Sequence, residues 1–311
     1  MNEIGKVRFS REEVRKNFIK SWLLIILLAA IAFGLSVWIG TELDDPRIGV
    51  LIGTVIALIV IPVQIFTAKW AILAMARGRK VNMDDPKERR AMQLLEGIAV
   101  SAGLSRTPDL YIMPSNIPNA FASGLSEKDA FVALTQGLLD MMTEQELEGV
   151  IGHEVGHIIH RDIMLNQLVV GLISLILVLA TVLHHIVYVK ALVGNRNSRN
   201  SNAGAAILVL MLVAILIRPL AMLISHLLQM AVSRKREYAA DAVSVQLCSY
   251  GEGLASALEK LDNGGRAYTA KEKDDLGGSK LACMYINFPG GEWFSTHPPI
   301  PERVKRIRNM Y

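Results

Sequence analysis

Hydrophobic and polar positions divide the chain into four long apolar runs separated by mixed regions. Residues 21–40 and 48–68 contain no charged side chain, 167–189 also lacks Asp, Glu, Lys and Arg, and 203–232 is interrupted by Arg218-Pro219. A helix of about 20 residues spans the ~30 Å hydrocarbon core of a bilayer, so each run is long enough for a membrane helix. The pattern therefore predicts two helical pairs that cross or enter a membrane.

The charges beside the first pair predict its orientation. Residues 1–20 carry six Lys or Arg against three acids, 69–90 carry seven against three, and the link 41–47 carries three acids and one Arg. By the positive-inside rule, the N-terminus and the region from residue 69 onward are expected to be cytoplasmic. A cleaved signal peptide is disfavoured because a second apolar run follows the first after only seven residues.

The second pair has two interpretations. It either spans the bilayer, which its length favours, or forms a buried hairpin that dips into it. Its link, 190–202, is polar and basic, which argues mildly against an external position. Arg218 either snorkels to the cytoplasmic interface, which we favour, or binds substrate or lipid within the membrane.

Composition adds a substantial water-exposed part to this picture. The 311 residues are 51% hydrophobic with a mean hydropathy of +0.34, yet 20% are charged, which excludes a disordered chain or a collagen-like fibre. Two cysteines, Cys248 and Cys283, give neither a disulfide framework nor a cysteine metal site. The net charge of +4 is not gathered into one tract, so no nucleic-acid partner is expected.

One predicted helix carries the candidate chemistry. Thr143 and Glu146 match a capping box, and an apolar stripe follows at helical spacing. His153, Glu154 and His157 on this helix match H-E-x-x-H. The i,i+4 spacing places two imidazoles one turn apart, where they can grip one zinc ion, and the glutamate can reach a water beside the metal without binding it. A chance pattern on an amphipathic helix is the less favoured alternative.

Two further motifs strengthen this interpretation. A catalytic zinc site needs a third protein ligand. Glu237 and Asp241 follow the fourth apolar run at i,i+4 spacing, so that one carboxylate can ligate and the other can accept the outer N–H of a ligating histidine, unless the pair is an ordinary solvated face. His297 precedes two prolines and either aims an N–H at the oxyanion of an attacked peptide carbonyl or is a simple turn histidine.

The three motifs together resemble a known family. H-E-V-G-H, S-R-K-R-E-Y-A-A-D and S-T-H-P-P-I-P-E-R, in this order, resemble the motifs of the HtpX-type membrane zinc metalloproteases, relatives of the Ste24 CAAX prenyl protease family. The resemblance extends over nearly the whole chain. It implies one zinc ion held by His153, His157 and Glu237, with Glu154 as the general base.

The same resemblance implies roles beyond the metal ligands. Asp241 would hold a ligating histidine, and His297 would correspond to the histidine that stabilises the transition state. A family signature upstream of the zinc helix is similar to the four residues Asn119, Ala120, Phe121 and Ala122. The similarity suggests an edge strand that pairs with substrate backbone, and the alternative is a plain buried strand.

We therefore predict a mainly α membrane protein with four apolar helices and a cytoplasmic α+β catalytic domain, zincin-like and of gluzincin type, with a small sheet. The predicted domains are an N-terminal transmembrane hairpin at 1–68, the first part of the catalytic domain with the zinc helix at 69–166, a second apolar hairpin at 167–232, and the second part of the catalytic domain with the third ligand at 233–311.

The resemblance implies a zinc-dependent endopeptidase, multi-pass in the cell's inner (plasma) membrane, that cleaves misfolded or damaged membrane proteins or unfolded polypeptides at the cytoplasmic face. A prenyl-protein processing protease is the alternative enzyme, although four apolar runs are few for the large membrane chamber of that branch. A non-catalytic zinc-binding scaffold is disfavoured by the intact Glu154. A transporter is weaker still, because only Arg218 is a candidate for a buried membrane charge.

Overall fold

The computed structural model describes residues 45–164, 234–263 and 298–310, with Gln167 and scattered positions between 19 and 41. In chain order its elements are α1 (Pro46–Val55), a π-helical segment π1 (Ile56–Val60), α2 (Ile61–Met75), β1 (Arg79–Lys80), α3 (Pro86–Ser101), β2 (Asp109–Met113), β3 (Ala120–Ser123), β4 (Phe131–Thr135), α4 (Gln136–Met141), α5 (Glu144–Ile159), α6 (Arg234–Cys248), α7 (Glu252–Asn263) and α8 (Ile300–Arg308). The described chain is mainly helical with one small sheet, as the sequence predicts.

The predicted membrane runs coincide only in part with the described residues. The run 48–68 lies on α1, π1 and α2, which follow one another directly. Taken singly, no helix in the described part of the chain is both long enough and apolar enough to cross a membrane. Most of 21–40 and, apart from Gln167, the runs 167–189 and 203–232 lie outside the described residues. The four membrane helices therefore stay a prediction.

Two compact units make up the chain. The first comprises residues 1–168 together with 233–311, and the second comprises 169–232. Every element named above belongs to the first unit, while the second lies outside the described residues. The first unit therefore contains both α5 and α6, although residues 169–232 separate these two helices in the sequence.

A four-stranded mixed sheet has the strand order β1-β2-β4-β3. β2 and β4 are parallel, whereas β1 pairs antiparallel with β2, and β3 pairs antiparallel with β4. Every residue of β4 is buried, which is typical of an apolar strand covered on both faces. β3 lies at one edge of the sheet and contacts α5. This contact brings the end of the sheet to the helix that carries the H-E-x-x-H motif.

α5 packs against α6 and α7 at close range because glycines face both partners. A Cβ on Gly149 would lie 2.5 Å from the backbone nitrogen of Leu254, and a Cβ on Gly156 would lie 3.1 Å from the Cα of Ala240. Only a residue without a side chain allows the helix backbones to approach this closely at Gly149. The close packing restrains rotation of α5 about its axis, and so it sets the direction in which its histidines point.

The capping box predicted at the start of α5 is confirmed. The Thr143 side chain accepts from the Glu146 N–H, and the Glu146 side chain accepts from the Thr143 N–H. Glu146 also accepts hydrogen bonds from Lys260 Nζ at 2.7 Å and from Ser256 Oγ at 2.6 Å, both on α7. Burial opposes the charge on this carboxyl group, yet the donors lower the pKa of Glu146 to about 2. The cap thus also joins α5 to α7.

Glu146→Gln is expected to lower the free energy of unfolding by about 1.5–3 kcal/mol at pH 7, the usual range for a hydrogen bond to a charged group. Because the folded-state pKa lies below that of the unfolded chain, this contribution is complete above about pH 4.5 and is lost as the pH falls towards 2. Denaturant unfolding of both proteins between pH 3 and 7 measures the difference. A difference in unfolding free energy that stays constant or increases at low pH would contradict the assigned role of the Glu146 carboxylate.

Candidate metal centre

Two imidazoles lie side by side on the buried face of α5. His153 and His157 are one helical turn apart and both buried, and their ring centroids are 4.7 Å apart. Their Nε2 atoms are separated by 3.2 Å. The i,i+4 spacing therefore directs two ring nitrogens to one point.

A carboxylate from the first turn of α6 joins the two imidazoles. Glu237 is buried, with Oε2 at 3.7 Å from His153 Nε2 and Oε1 at 3.6 Å from His157 Nε2. One potential ligand atom from each of the three residues lies within 4.8 Å of the other two. His153, His157 and Glu237 therefore form a group that could hold a metal ion.

The outer nitrogen of each imidazole faces a further carboxylate. His153 Nδ1 lies 2.9 Å from Asp241 Oδ1, and His157 Nδ1 lies 3.2 Å from Asp162 Oδ2. Because an ionised carboxylate can only accept, each Nδ1 carries a proton and donates it. When both rings are neutral, the lone pairs of the two Nε2 atoms therefore point towards each other. Because facing lone pairs repel, this arrangement requires a proton or a cation between them.

The ionisation of the two rings follows from this arrangement. Burial lowers the pKa of His153 to about 4. Burial also opposes the charge on His157, but the hydrogen bond to Asp162 and the nearby Glu237 carboxylate raise its pKa to about 9. The surroundings therefore favour the neutral form of His153 and the charged form of His157, which lies between two carboxylates. A divalent cation bound by both Nε2 atoms would require both rings to be neutral at these atoms.

The donor set suits zinc in both chemistry and spacing. When ligand atoms lie ~2.0–2.1 Å from a tetrahedral zinc ion, neighbouring ligand atoms are about 3.3–3.4 Å apart. The separations of 3.2, 3.6 and 3.7 Å among the three side chains are close to that value. Two imidazole nitrogens and one carboxylate oxygen are also a ligand set of catalytic zinc sites, which leave the fourth position open.

Glu154 follows His153 on α5 and contacts β3. It is buried, and the Ala122 N–H donates a hydrogen bond to its carboxylate. Burial raises the pKa of Glu154 to about 7, against the opposing charge of His157. A carboxyl group that titrates near neutrality can both accept and return a proton.

The outer edge of β3 lies beside Glu154. The Thr135 N–H donates to the Asn119 carbonyl at 3.0 Å, so the backbone groups of Asn119 and of alternate residues after it face β4. The backbone groups of Ala120 and Ala122 face the opposite side, where no strand within the described ranges pairs with β3. The predicted edge strand at 119–122 is thus a strand from residue 120 onward, and its pairing with a substrate stays a prediction.

Asp162 and Arg303 adjoin the imidazoles and Arg236 contacts Asp162, although the sequence analysis gave none of the three a role at the metal. Asp162 follows α5, and Arg236 Nη1 lies 3.4 Å from its Oδ1. Arg303 of α8 is fully buried and binds Asp241. Arg236 and Arg303 fall within quoted motifs, which was the signal available for them, whereas Asp162 had only its position five residues after His157.

The structure places five of the predicted site residues in one buried cluster, namely His153, Glu154, His157, Glu237 and Asp241. Their catalytic and ligand roles stay predictions. His297 lies outside the described residues, so its predicted role has no counterpart in the described geometry.

Comparison with known proteins relates the whole chain to one family. The family model of peptidase family M48 matches residues 85–311. A protease HtpX homolog from Streptococcus gordonii is 36% identical over 96% of this chain and 99% of its own length. A protease HtpX homolog from Listeria monocytogenes is 32% identical over 94% of this chain and 95% of its own length. A crystal structure of Ste24p from S. mikatae aligns with 96% of this chain and 67% of its own, at 17% identity and a TM-score of 0.45.

These similarities confirm two of the predictions made from the sequence. The matched family segment contains the H-E-x-x-H helix, Glu237 and the third motif. The relatives carry the name of the family that the three motifs resemble, and their alignments extend through the N-terminal apolar runs. The predicted resemblance and the predicted metalloprotease activity are therefore both supported, and the chain belongs to peptidase family M48.

Proposed function

We propose that this chain is a membrane-bound, zinc-dependent endopeptidase that cleaves misfolded or damaged membrane proteins, or unfolded polypeptides, at the cytoplasmic face of the plasma membrane. The proposal depends on one observation. The buried side chains of His153, His157 and Glu237 lie at separations that suit zinc, and the carboxylate of Glu154 lies nearby. Quality control of membrane proteins is the corresponding cellular role.

His153, His157 and Glu237 would hold the zinc ion, and Asp241 would keep His153 in the tautomer that binds through Nε2. Bound zinc supplies Lewis acidity towards a peptide carbonyl and towards water. The Glu154 carboxylate takes the proton of the attacking water and returns it to the leaving amine. The buried position of these groups excludes bulk water and strengthens each electrostatic interaction.

The substrate would lie along β3. An extended peptide can add to a strand edge through main-chain hydrogen bonds, and here it would replace the bonds that the Ala120 and Ala122 N–H groups make to Asn119 Oδ1 and Glu154. Because the Ala122 N–H reaches Glu154, a peptide on the Ala120 and Ala122 side of β3 passes next to the proposed base. His297 is assigned, from its motif, the role of donating an N–H to the oxyanion of the attacked carbonyl.

Exposed apolar side chains on the first helices support attachment to a bilayer. Leu51, Leu58 and Phe66 are 66%, 71% and 74% exposed, and large apolar side chains exposed along successive helices are typical of a membrane or protein contact. Lys69 of α2 donates to Asp109 Oδ2 at 2.9 Å, so the apolar helix is tied to the sheet. We infer that the active site operates close to the lipid surface.

The proposed organisation has two membrane hairpins, 1–68 and 167–232, and a catalytic domain made of 69–166 and 233–311. The basic segments on both sides of the first hairpin support a cytoplasmic N-terminus and a cytoplasmic catalytic domain. A multi-pass protein of this topology would meet substrates that emerge from, or unravel beside, the inner leaflet.

Removal of the metal tests the proposed function. The purified full-length chain is expected to contain about one zinc ion by elemental analysis and to cleave casein or an unfolded membrane protein. 1,10-phenanthroline should abolish cleavage, zinc added after dialysis should restore it, and phenanthroline already saturated with zinc is the matched control. Cleavage that continues at the same rate in metal-free protein would refute the proposal.

A further inference from the structure

Arg303 lies at the centre of the site although it comes from α8. Its side chain is fully buried. Nε donates to Asp241 Oδ2 at 3.0 Å and Nη2 donates to Oδ1 at 2.7 Å, so the guanidinium grips this carboxylate with two parallel hydrogen bonds. A bidentate pair of this kind fixes the plane of the carboxylate as well as its position.

The same guanidinium contacts two of the three proposed ligands. Nη2 is nearly equidistant from the two ring nitrogens of His153, at 3.4 and 3.5 Å, which places it over the ring face rather than along a lone pair. Nη1 lies 3.6 Å from Glu237 Oε2. Arg303 therefore adjoins Asp241, His153 and Glu237 at once.

Asp241 cannot hold His153 in a fixed orientation unless it is itself fixed. Its Oδ1 accepts from His153 Nδ1 at 2.9 Å as well as from Arg303. Without the guanidinium, the buried carboxylate would lose its counter-charge, and rotation about its Cβ–Cγ bond would turn the accepting oxygen away from the ring. The orientation of the imidazole thus depends on Arg303 through Asp241.

α8 is held in place by contacts outside the site. Arg308 Nη1 donates to Glu259 at 2.7 Å and its Nε donates to Glu252 at 3.0 Å, and both acceptors lie on α7. The Arg306 guanidinium stacks on the Tyr238 ring at 3.8 Å. Arg308 can therefore serve as a control residue for Arg303, because it lies on the same helix but does not approach the imidazoles.

We propose that Arg303 is a positioning residue that sets how tightly the metal is retained, by locking Asp241 and hence the ring of His153. The inference rests on the proposed function, because it concerns the same metal centre. The S-T-H-P-P-I-P-E-R motif would then have two separate roles: Arg303 would support the metal ligands, and His297 would keep the role proposed for it above.

The rate of metal release tests this role. Zinc-loaded full-length wild type, Arg303→Lys and Arg308→Lys are mixed with excess of a chromogenic chelator, and release is followed by absorbance. Arg303→Lys keeps the charge but loses the second hydrogen bond to Asp241. Removing an outer support of a ligand usually lowers metal affinity about 10–100-fold, and we expect this loss to appear as zinc release about 10–100-fold faster. Arg308→Lys should stay within about twofold of wild type.

The cobalt-substituted proteins provide a readout that loosened packing of α8 alone would not change. Arg303→Lys should shift the visible d–d bands, because the orientation of a ligating ring changes, whereas Arg308→Lys should give the wild-type spectrum. If Arg303→Lys does not fold, Arg303→Gln, which keeps an amide donor for Asp241, is compared in the same way.

A double-mutant cycle tests whether Arg303 acts through Asp241. Asp241→Asn combined with Arg303→Lys should release zinc no faster than the more severe single variant, since both changes break one chain of contacts. Multiplicative effects, or a wild-type release rate in Arg303→Lys, would overturn the inference while leaving the metalloprotease intact. A wild-type chain that binds no zinc would instead remove the proposed function and this inference together.

Discussion

Glu154→Gln is expected to abolish peptide cleavage while the protein keeps its metal. The amide has the shape of the carboxylate and can still accept the Ala122 hydrogen bond, but it cannot take a proton from the attacking water. Loss of general-base catalysis typically costs a factor of ~100 to 10,000, and we expect kcat/KM to fall by at least about 1,000-fold. Cleavage of casein and zinc content by elemental analysis measure the two properties on one preparation.

The matched control for this experiment is Glu148→Gln. Glu148 lies on the same helix, six residues earlier, and is outside the buried cluster. It should retain activity within about twofold of wild type, as expected for a surface change away from the site. If Glu154→Gln cleaved at the wild-type rate, another group would have to act as the base, and the catalytic assignment would be wrong.

Glu237→Gln is expected to leave the purified chain largely without zinc. A neutral amide is a poorer zinc ligand than a carboxylate. In the variant the two imidazoles would still face the cation, but the negative charge of Glu237 on its other side would be missing. Loss of a group that only supports a ligand costs about 10–100-fold in affinity, so loss of a ligand should exceed about 100-fold. Competition with a chelator of known affinity measures the change.

Glu96→Gln is the comparison for the loss of one negative charge, because Glu96 is exposed on α3. This variant should bind zinc as the wild type does. Full zinc occupancy in Glu237→Gln after dialysis against the same chelator would show that the third ligand lies elsewhere in the chain. Activity should follow metal content in both variants.

The residues with strong local patterns were predictable from the sequence. The capping box at Thr143 and Glu146 depends only on positions three apart, and the i,i+4 spacing of His153 and His157 fixes their common face. Glu237 and Asp241 were singled out as a pair of acids at i,i+4 spacing directly after an apolar run, and the family resemblance made Glu237 the predicted ligand. The helical character of the described chain follows from the same local periodicity.

The residues that act across long sequence separations were not predictable. Asp162 and Arg303 look like ordinary charged residues beside a helix end and within a basic helix, and only the fold shows that both are buried against imidazoles. The parallel pairing of β2 with β4 also depends on the tertiary path of the chain, since no turn between them specifies it. Local propensity carries no information about such pairings.

The guanidinium over the His153 ring is separated from that ring by 150 positions in the chain. At ribosomal speeds of about 5–20 residues per second, roughly 8 to 30 seconds pass between the synthesis of the two residues. Throughout that interval the H-E-x-x-H helix exists without the residue that locks its first histidine. The contact between Arg303 and His153 can therefore form only at the end of synthesis, after α8 has been made.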